Sequence, residues 1–338
     1  MIDIDSRAAA RLEFTRNATG HAEIDLERAS ADAGFRSYWR TTGLEPSRIV
    51  MDSPPDKEDV RPWLDVRELL LAGDVRVPQV LARDIEQGFL LLEDLGRETC
   101  LMVIDTTNAD ALFELAITQL LRLQAIVPPT SFPDYDLDLL QRETALFEEW
   151  FLGRHLGICL DDDERAAWET TCAQLADNAR AQPQVLVHRD FMPRNLMPLG
   201  DELAVLDFQD AVLGPIAYDP ICLFKDAFLS WPEARVDAWL ARYHARARAA
   251  GLPLPERDVF RRDADFIGVH RHLKVIGIFA RLNYRDNKPR YLADVPRFIA
   301  YLDAVLPRHA EFAPLARLIE TRVKPALRAR HTESSCVP

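Results

Sequence analysis

The spacing of apolar and polar positions changes character partway along the chain. From residue 4 to 17, Ile4, Ala8, Leu12 and Thr15 recur along one side, which predicts a helix. HAEIDLERA (21–29), FRSYWRTT (35–42) and SRIVMDS (47–53) alternate or cluster as strands do, separated by turns containing Gly or Pro. EDVRPWLDVRELLLAG (58–73) reads as a helix closed by Gly73, followed by two strands in VPQVLARD and GFLLLEDLG. After Gly96 long helices take over, beginning at 108–125 with Leu112, Leu115, Ala116, Gln119, Leu120 and Leu123 on one face. Further helices are expected at 137–156, 162–181, 219–229, 233–250, 258–284, 291–304 and 308–328, with a frayed tail beyond. Two short strand signals interrupt this series: QVLVHRD (184–190), and NLMPLGDELAVLDF (195–208), the latter a strand, a Gly-Asp turn and a strand. The pattern predicts an α+β protein. Residues 1–96 form a small β-rich part with one main helix, residues 97–338 a larger helical part, and 92–98 a hinge.

The densest chemistry sits in HRDFMPRNLM (188–197) and LDFQD (206–210), where Asp207 follows Asn195 by twelve residues. Phosphoryl transfer needs one carboxylate to orient the attacking hydroxyl and accept its proton, and oxygen ligands for a magnesium ion on the phosphates. Asp190 is placed for the first role, Asn195 and Asp207 for the second, since magnesium takes a few protein oxygens plus phosphate oxygens. The two strands joined at Gly200-Asp201 carry Asp207 back towards Asp190. His188 is expected to brace the loop. Asp210 stands either beside a metal ligand or in an exposed turn.

Charge and cysteines narrow the context. A net charge of −13 disfavours a polyanionic partner, so nucleic acid is not expected, while a nucleotide needs only a local positive pocket. No apolar run approaches the roughly 20 residues of a membrane span, and the acidic N-terminus does not resemble a secretion signal. Five scattered cysteines (Cys100, Cys159, Cys172, Cys222, Cys336) fit reduced thiols in a cytoplasm. Neither a membrane association nor an obligate protein partner is evident.

The motifs FLLLEDLG, VLVHRDFMPRN, LDFQDA and GPIAYDPICL together resemble the aminoglycoside phosphotransferase and choline kinase superfamily. That resemblance implies a bilobal protein-kinase-like fold and transfer of a phosphoryl group from ATP, with Mg2+, to a small hydroxylated acceptor. It also implies that backbone groups of Glu93, Asp94 and Leu95 receive the adenine. Within the superfamily, FRSYWR, IVMDSPP, LFEEWFLGRHLG, HRHLKVIGIFARLNYRD and YLADVPRF resemble the bacterial anomeric sugar kinases of cell-wall recycling. The acceptor would then be an amino sugar, N-acetylmuramate or N-acetylglucosamine, phosphorylated at its anomeric hydroxyl.

Two features depart from the family pattern. No GxGxxG precedes the second strand, where the turn holds a single Gly34, and Met51-Asp52 occupy the position of a phosphate-binding Lys. Arg36 or Arg40 on the neighbouring strand is expected to supply that cation. For the acceptor, His270, Arg271 and Lys274 (with Arg281) form either a basic face that could take a lactyl carboxylate or a solvated face balanced by Asp263 and Asp265. Glu148 and Trp150 offer a hydrogen bond and a stacking surface, and Asp219 either caps the next helix or touches substrate. An aminoglycoside or amino-alcohol acceptor, or a nucleotide-binding scaffold without activity, are the competing readings. Trp231, Trp239 and Tyr243 would be the aromatic set for choline.

Overall fold

A computed structural model of the chain describes residues 4–30 and 35–335. Gly34 and Cys336 fall outside the described residues. By contacts the chain forms two compact units, one of residues 1–126 with 193–211, the other of residues 127–192 with 212–338.

The first unit is built on a five-stranded antiparallel sheet, ordered β1 (Asp25–Ser30), β2 (Ser37–Thr42), β3 (Arg48–Asp52), β5 (Phe89–Glu93) and β4 (Val80–Asp84). The apolar run FLLLE lies between β3 and β4, with Val50 opposite Leu91, and Phe89 to Leu92 are buried. Helix α1 (Ile4–Thr19) packs on this sheet: Phe14 stacks on Phe89 at 5.5 Å, and the Arg7 guanidinium lies 4.1 Å from the same ring. Asp52, 2% exposed, accepts from Arg7 and Arg11 at 2.7 Å each. The residue that stands near the expected phosphate-binding Lys therefore fastens α1 to the sheet.

Helix α2 (Arg61–Ala72) begins with Pro62 in its first turn, ends at Gly73, and sets Trp63 against Phe208 at 5.0 Å. After the short α3 (Cys100–Val103) comes α4 (Ala109–Gln124), whose Gln119 and Arg122 donate to Glu202. The hairpin β7 (Leu196–Leu199) and β8 (Glu202–Val205) is also tied to the unit by the amide of Val205 on the carbonyl of Arg76, 2.8 Å. These links explain why 193–211 belongs with the sheet and why the break falls after Ile126, not at Gly96.

The second unit is organised around α9 (Arg257–Asp286), thirty residues long and buried along most of its middle. Against it lie α5 (Leu137–Leu146), α6 (Asp162–Ala181), α7 (Tyr218–Phe224), α8 (Glu233–Ala249) and α10 (Val295–Val305). The predicted helix 137–156 changes at Phe147 into a π-helix, Phe147–Leu156, closed by left-handed Gly157. The change falls where Gly277 of α9 meets the backbone of Leu146 and Phe147; a Cβ there would sit 2.4 Å from the Leu146 carbonyl carbon. Strands β6 (Gln184–Val187) and β9 (Val212–Pro215) pair antiparallel; β9 was not expected from the sequence. The last predicted helix is broken into 3-10 turns, α11 (Ala313–Leu318), a π segment and α12 (Lys324–Ser335), so the tail expected to fray is helical to Ser335. Among the described residues no helix is long and apolar enough to cross a membrane.

Candidate active site

In the second unit, the chain leaves β6 at Val187 and turns through His188, Arg189 and Asp190. Arg189 adopts φ +73°, a left-handed conformation that a side-chain-bearing residue holds only when its surroundings fix it. Several contacts do so. The amides of His188 and Arg189 donate to the Asp219 carboxylate at 2.7 and 3.0 Å, and Cys222 Sγ donates to the Arg189 carbonyl at 3.2 Å. The amide of Asp190 donates to His188 Nδ1 at 3.2 Å. Burial pushes the Asp219 carboxyl up to about 6, against the pull of His188 and the two amides. Helix α7 is entered through Ala217, without a side-chain cap. Asp219 thus neither caps that helix nor lies at the surface; it ties the loop to α7.

Behind the loop lies a buried ionic cluster. Glu143 of α5 receives Arg189 Nη2 at 2.5 Å, Lys274 Nζ at 2.8 Å and the Tyr135 hydroxyl. Lys274 also donates to the Tyr218 hydroxyl at 3.0 Å. Burial pushes Glu143 up, yet the charges of Lys274 and Arg189 outweigh it and bring the carboxyl down to about 2. Burial disfavours the Lys274 ammonium, but Glu143, Tyr218 and Asp190 hold it charged. His270 Nε2 sits 3.1 Å from the Leu140 carbonyl, and burial lowers its pKa. Arg271, 1% exposed, donates to the Lys225 carbonyl at 3.2 Å and stays protonated, with Asp190 among the groups favouring its charge. His270, Arg271 and Lys274 are therefore buried and do not form a solvated face, while Arg281 is half-buried. Asp263 and Asp265 are engaged elsewhere, with Asn178 and with Arg308 and His309.

A folded-state pKa below the unfolded value means stability that is complete above the ordinary glutamate range and lost on acidification. The urea midpoint of the native chain should therefore fall as pH drops from about 4.5 towards 2, and Glu143→Gln should flatten that limb. Denaturation at pH 7, 5, 4 and 3 checks this; an unchanged acid slope would dismiss the charge assignment.

The first unit holds the residues predicted for metal and nucleotide. Asn195 and Asp207 stand at the open end of the β7–β8 hairpin, where Leu206 N–H donates to the Asn195 carbonyl at 2.9 Å, one step beyond the Leu196–Val205 pair. The two oxygen-bearing residues thus flank facing strands, Asn195 just before β7 and Asp207 just beyond β8. Asp207 has φ +61° and accepts from Gln209 Nε2 at 3.0 Å; exposed Asp210 accepts from the same amide at 3.3 Å.

Arg40 pairs with Asp94 at 2.6 and 2.9 Å and donates to the Gly96 carbonyl at 2.6 Å. Burial pushes Asp94 up, but Arg40, Ser47 and the Gly96 amide bring it down to about 2. Arg40 is thus committed to the hinge segment. Arg36 pairs with Glu58 at 3.3 Å and keeps a buried Nη1 without a hydrogen-bond partner. The Glu93 amide, expected to meet adenine, donates to the Gln79 carbonyl at 2.9 Å, and its carboxylate takes Arg76. Leu95 is half-buried. Arg40, Thr42, Ser47, Asp94, Gly96 and Arg97 line a cavity of about 440 Å3. In the second unit, Glu148 is taken by Trp168 Nε1 at 2.8 Å and Arg165 at 2.7 Å, and the half-buried Trp150 carries the Arg154 guanidinium at 5.3 Å.

Sequence reasoning passed over Glu143. The available signal was a carboxylate on the same helical face as Leu140, Thr144 and Phe147, a position that demands a buried partner.

The chain belongs to the phosphotransferase enzyme family, whose model matches residues 25–258. It is 52% identical to an N-acetylmuramate/N-acetylglucosamine kinase of Pseudomonas putida, over 90% of this chain and 91% of that protein. Similarity to proteins with the same description is 51% in Pseudomonas aeruginosa, over 89% and 90%, and 32% in Caulobacter vibrioides, over 88% and 92%. Two solved structures share the protein-kinase-like fold at low identity. The ADP-bound aminoglycoside phosphotransferase APH(2'')-Ib has a TM-score of 0.58 at 19% identity, over 86% of this chain and 97% of that one. The choline kinase LicA of Streptococcus pneumoniae has a TM-score of 0.61 at 13%, over 88% and 99%.

Proposed function

We propose that this protein is an ATP-dependent kinase of N-acetylmuramate and N-acetylglucosamine that phosphorylates the anomeric hydroxyl, in the recovery of cell-wall sugars. The observation that carries the reading is similarity above 50% across nine-tenths of the chain to two kinases described by those substrates. An adenine nucleotide as donor is supported by the ADP-bound structural relative.

Each residue then has a defined task. Asp190 orients the acceptor hydroxyl and takes its proton as the new O–P bond forms and the bond from the γ-phosphorus to the bridging oxygen breaks, releasing ADP. Asn195 and Asp207 offer one neutral and one charged oxygen, a donor set that fits magnesium, which completes its shell with phosphate and water oxygens. Bound there, the ion would neutralise charge on the phosphates. Arg36 is the cation left to meet phosphate, since Arg40 is spent on Asp94 and Gly96. A choline acceptor is disfavoured: Trp239 and Tyr243 are buried, and the Arg235 guanidinium already lies 4.9 Å from both Trp231 and Trp239.

ADP release with N-acetylmuramate, N-acetylglucosamine, kanamycin and choline, run in parallel, tests the reading. Turnover is expected on both sugars, with kcat/KM at least about 10²-fold above the other two acceptors. The product phosphate should be labile to mild acid, as a glycosyl phosphate is. Turnover on kanamycin or choline alone would replace the sugar assignment, and no turnover on any acceptor would favour the scaffold reading.

A further inference from the structure

We propose that Glu143 is a positioning residue for phosphoryl transfer, acting through Arg189 to hold the loop in the left-handed turn that presents Asp190. The inference rests on the kinase reading above. Its basis is the set of points at which Arg189 is fastened. The amide is taken by Asp219, the carbonyl by Cys222, and the side chain by Glu143, whose own side chain is 5% exposed.

The first two fix the backbone on either side of the residue. Glu143 supplies the third point, and it is itself held from two further elements: Lys274 of α9 at 2.8 Å, and Tyr135. Tyr135 is in turn bonded through its amide to the Leu213 carbonyl of β9 at 2.8 Å, and β9 pairs with β6, the strand that feeds the loop. One carboxylate therefore couples α5, α9 and the segment before α5, which is bonded to β9, to a single loop residue. A charged group shared by two buried cations keeps its place better than a neutral one, because withdrawing it would leave both cations uncompensated.

An alanine held in the left-handed region is disfavoured by about a factor of ten in population, whereas glycine occupies it freely. This difference separates positioning from bulk stability. Arg189→Gly should retain kcat about 10-fold better than Arg189→Ala on N-acetylglucosamine, with KM for both substrates within about 3-fold of each other. Glu143→Gln should lower kcat at least 10-fold at nearly constant KM in the native background, and less than about 3-fold in the Arg189→Gly background, where the turn no longer needs the ion pair.

Equal kcat for the glycine and alanine variants would overturn the proposal. So would a Glu143→Gln loss of the same size in both backgrounds, or a loss confined to KM. Should Glu143→Gln fail to fold, Glu143→Asp, which keeps the charge but shortens the reach to Arg189, takes its place, and an equal loss of kcat in the native and Arg189→Gly backgrounds would again overturn the proposal. Thermal unfolding without acceptor supplies a separate readout, with Arg189→Gly expected to melt above Arg189→Ala. If the native chain turns over neither sugar, the function reading falls while that melting order still tests the turn.

Discussion

Replacing Asp190 with asparagine is expected to lower kcat on the amino-sugar acceptors about 10³-fold while leaving affinity for Mg-ATP within about 3-fold. Asparagine matches the volume of aspartate and can still accept a hydrogen bond, so the fixed backbone of the loop should persist. Its amide is donated to His188 Nδ1, and its neighbours are held by Asp219, whichever side chain it carries. What disappears is the oxygen able to receive the hydroxyl proton, a loss felt in the transition state and not in the ground state. KM for the acceptor should therefore change little, and kcat and kcat/KM should fall together. Steady-state kinetics with titration of Mg-ATP checks both halves. An unaffected kcat removes Asp190 as the proton acceptor; a collapse of ATP affinity would move it into the nucleotide site. By contrast, Asp207→Asn should weaken Mg-ATP binding itself.

The largest expected effect on stability is that of Gly277→Ala. The added methyl would lie 2.4, 2.5 and 2.6 Å from the Leu146 carbonyl carbon, its oxygen and the Phe147 amide nitrogen. All three are backbone atoms of a helix junction, so no side-chain rotation relieves the overlap. Either α9 withdraws from α5 and the π-helix, or the junction shifts; overpacking of this kind costs about 3 kcal/mol. That should reduce Tm by roughly 5–10 °C. Lys274 lies one helical turn before Gly277, so displacement of α9 should also loosen the Glu143 contact and reduce kcat. Calorimetry and kinetics on the same preparation test this, and a variant that melts like the native chain would show that the junction yields without cost.

Particular residues show how much of this was legible beforehand. Strand β5 could be read from its short bounded apolar run, and helix α6 from the period of 3.6 that buries Trp168, Thr171, Leu175 and Ala179. Asp190, Asn195 and Asp207 stand out as candidates because phosphoryl transfer restricts both residue types and spacing. The surroundings of α9 were poorly legible. His270, Arg271 and Lys274 look like a solvent face in one dimension, since charge normally means exposure, yet all are buried against partners from α5, α7 or the residue just after it. Arg40 looked free to bind phosphate until Asp94, 54 residues away, was found to occupy it.

Most of the order of elements and the family were legible in the sequence alone, because local periodicity and motif spacing are properties of contiguous residues. Tertiary structure decided the rest. It turned Asp52 into an anchor for α1, Asp219 into a tie on the loop and Glu143 into the centre of an ionic cluster. It also placed a π-helix where a continuous α-helix was expected, because Gly277 brings another backbone into contact there. Hydrogen bonds, ion pairs and close approaches join residues 30 to 131 positions apart, and no pattern along the chain records which partner a buried charge will meet.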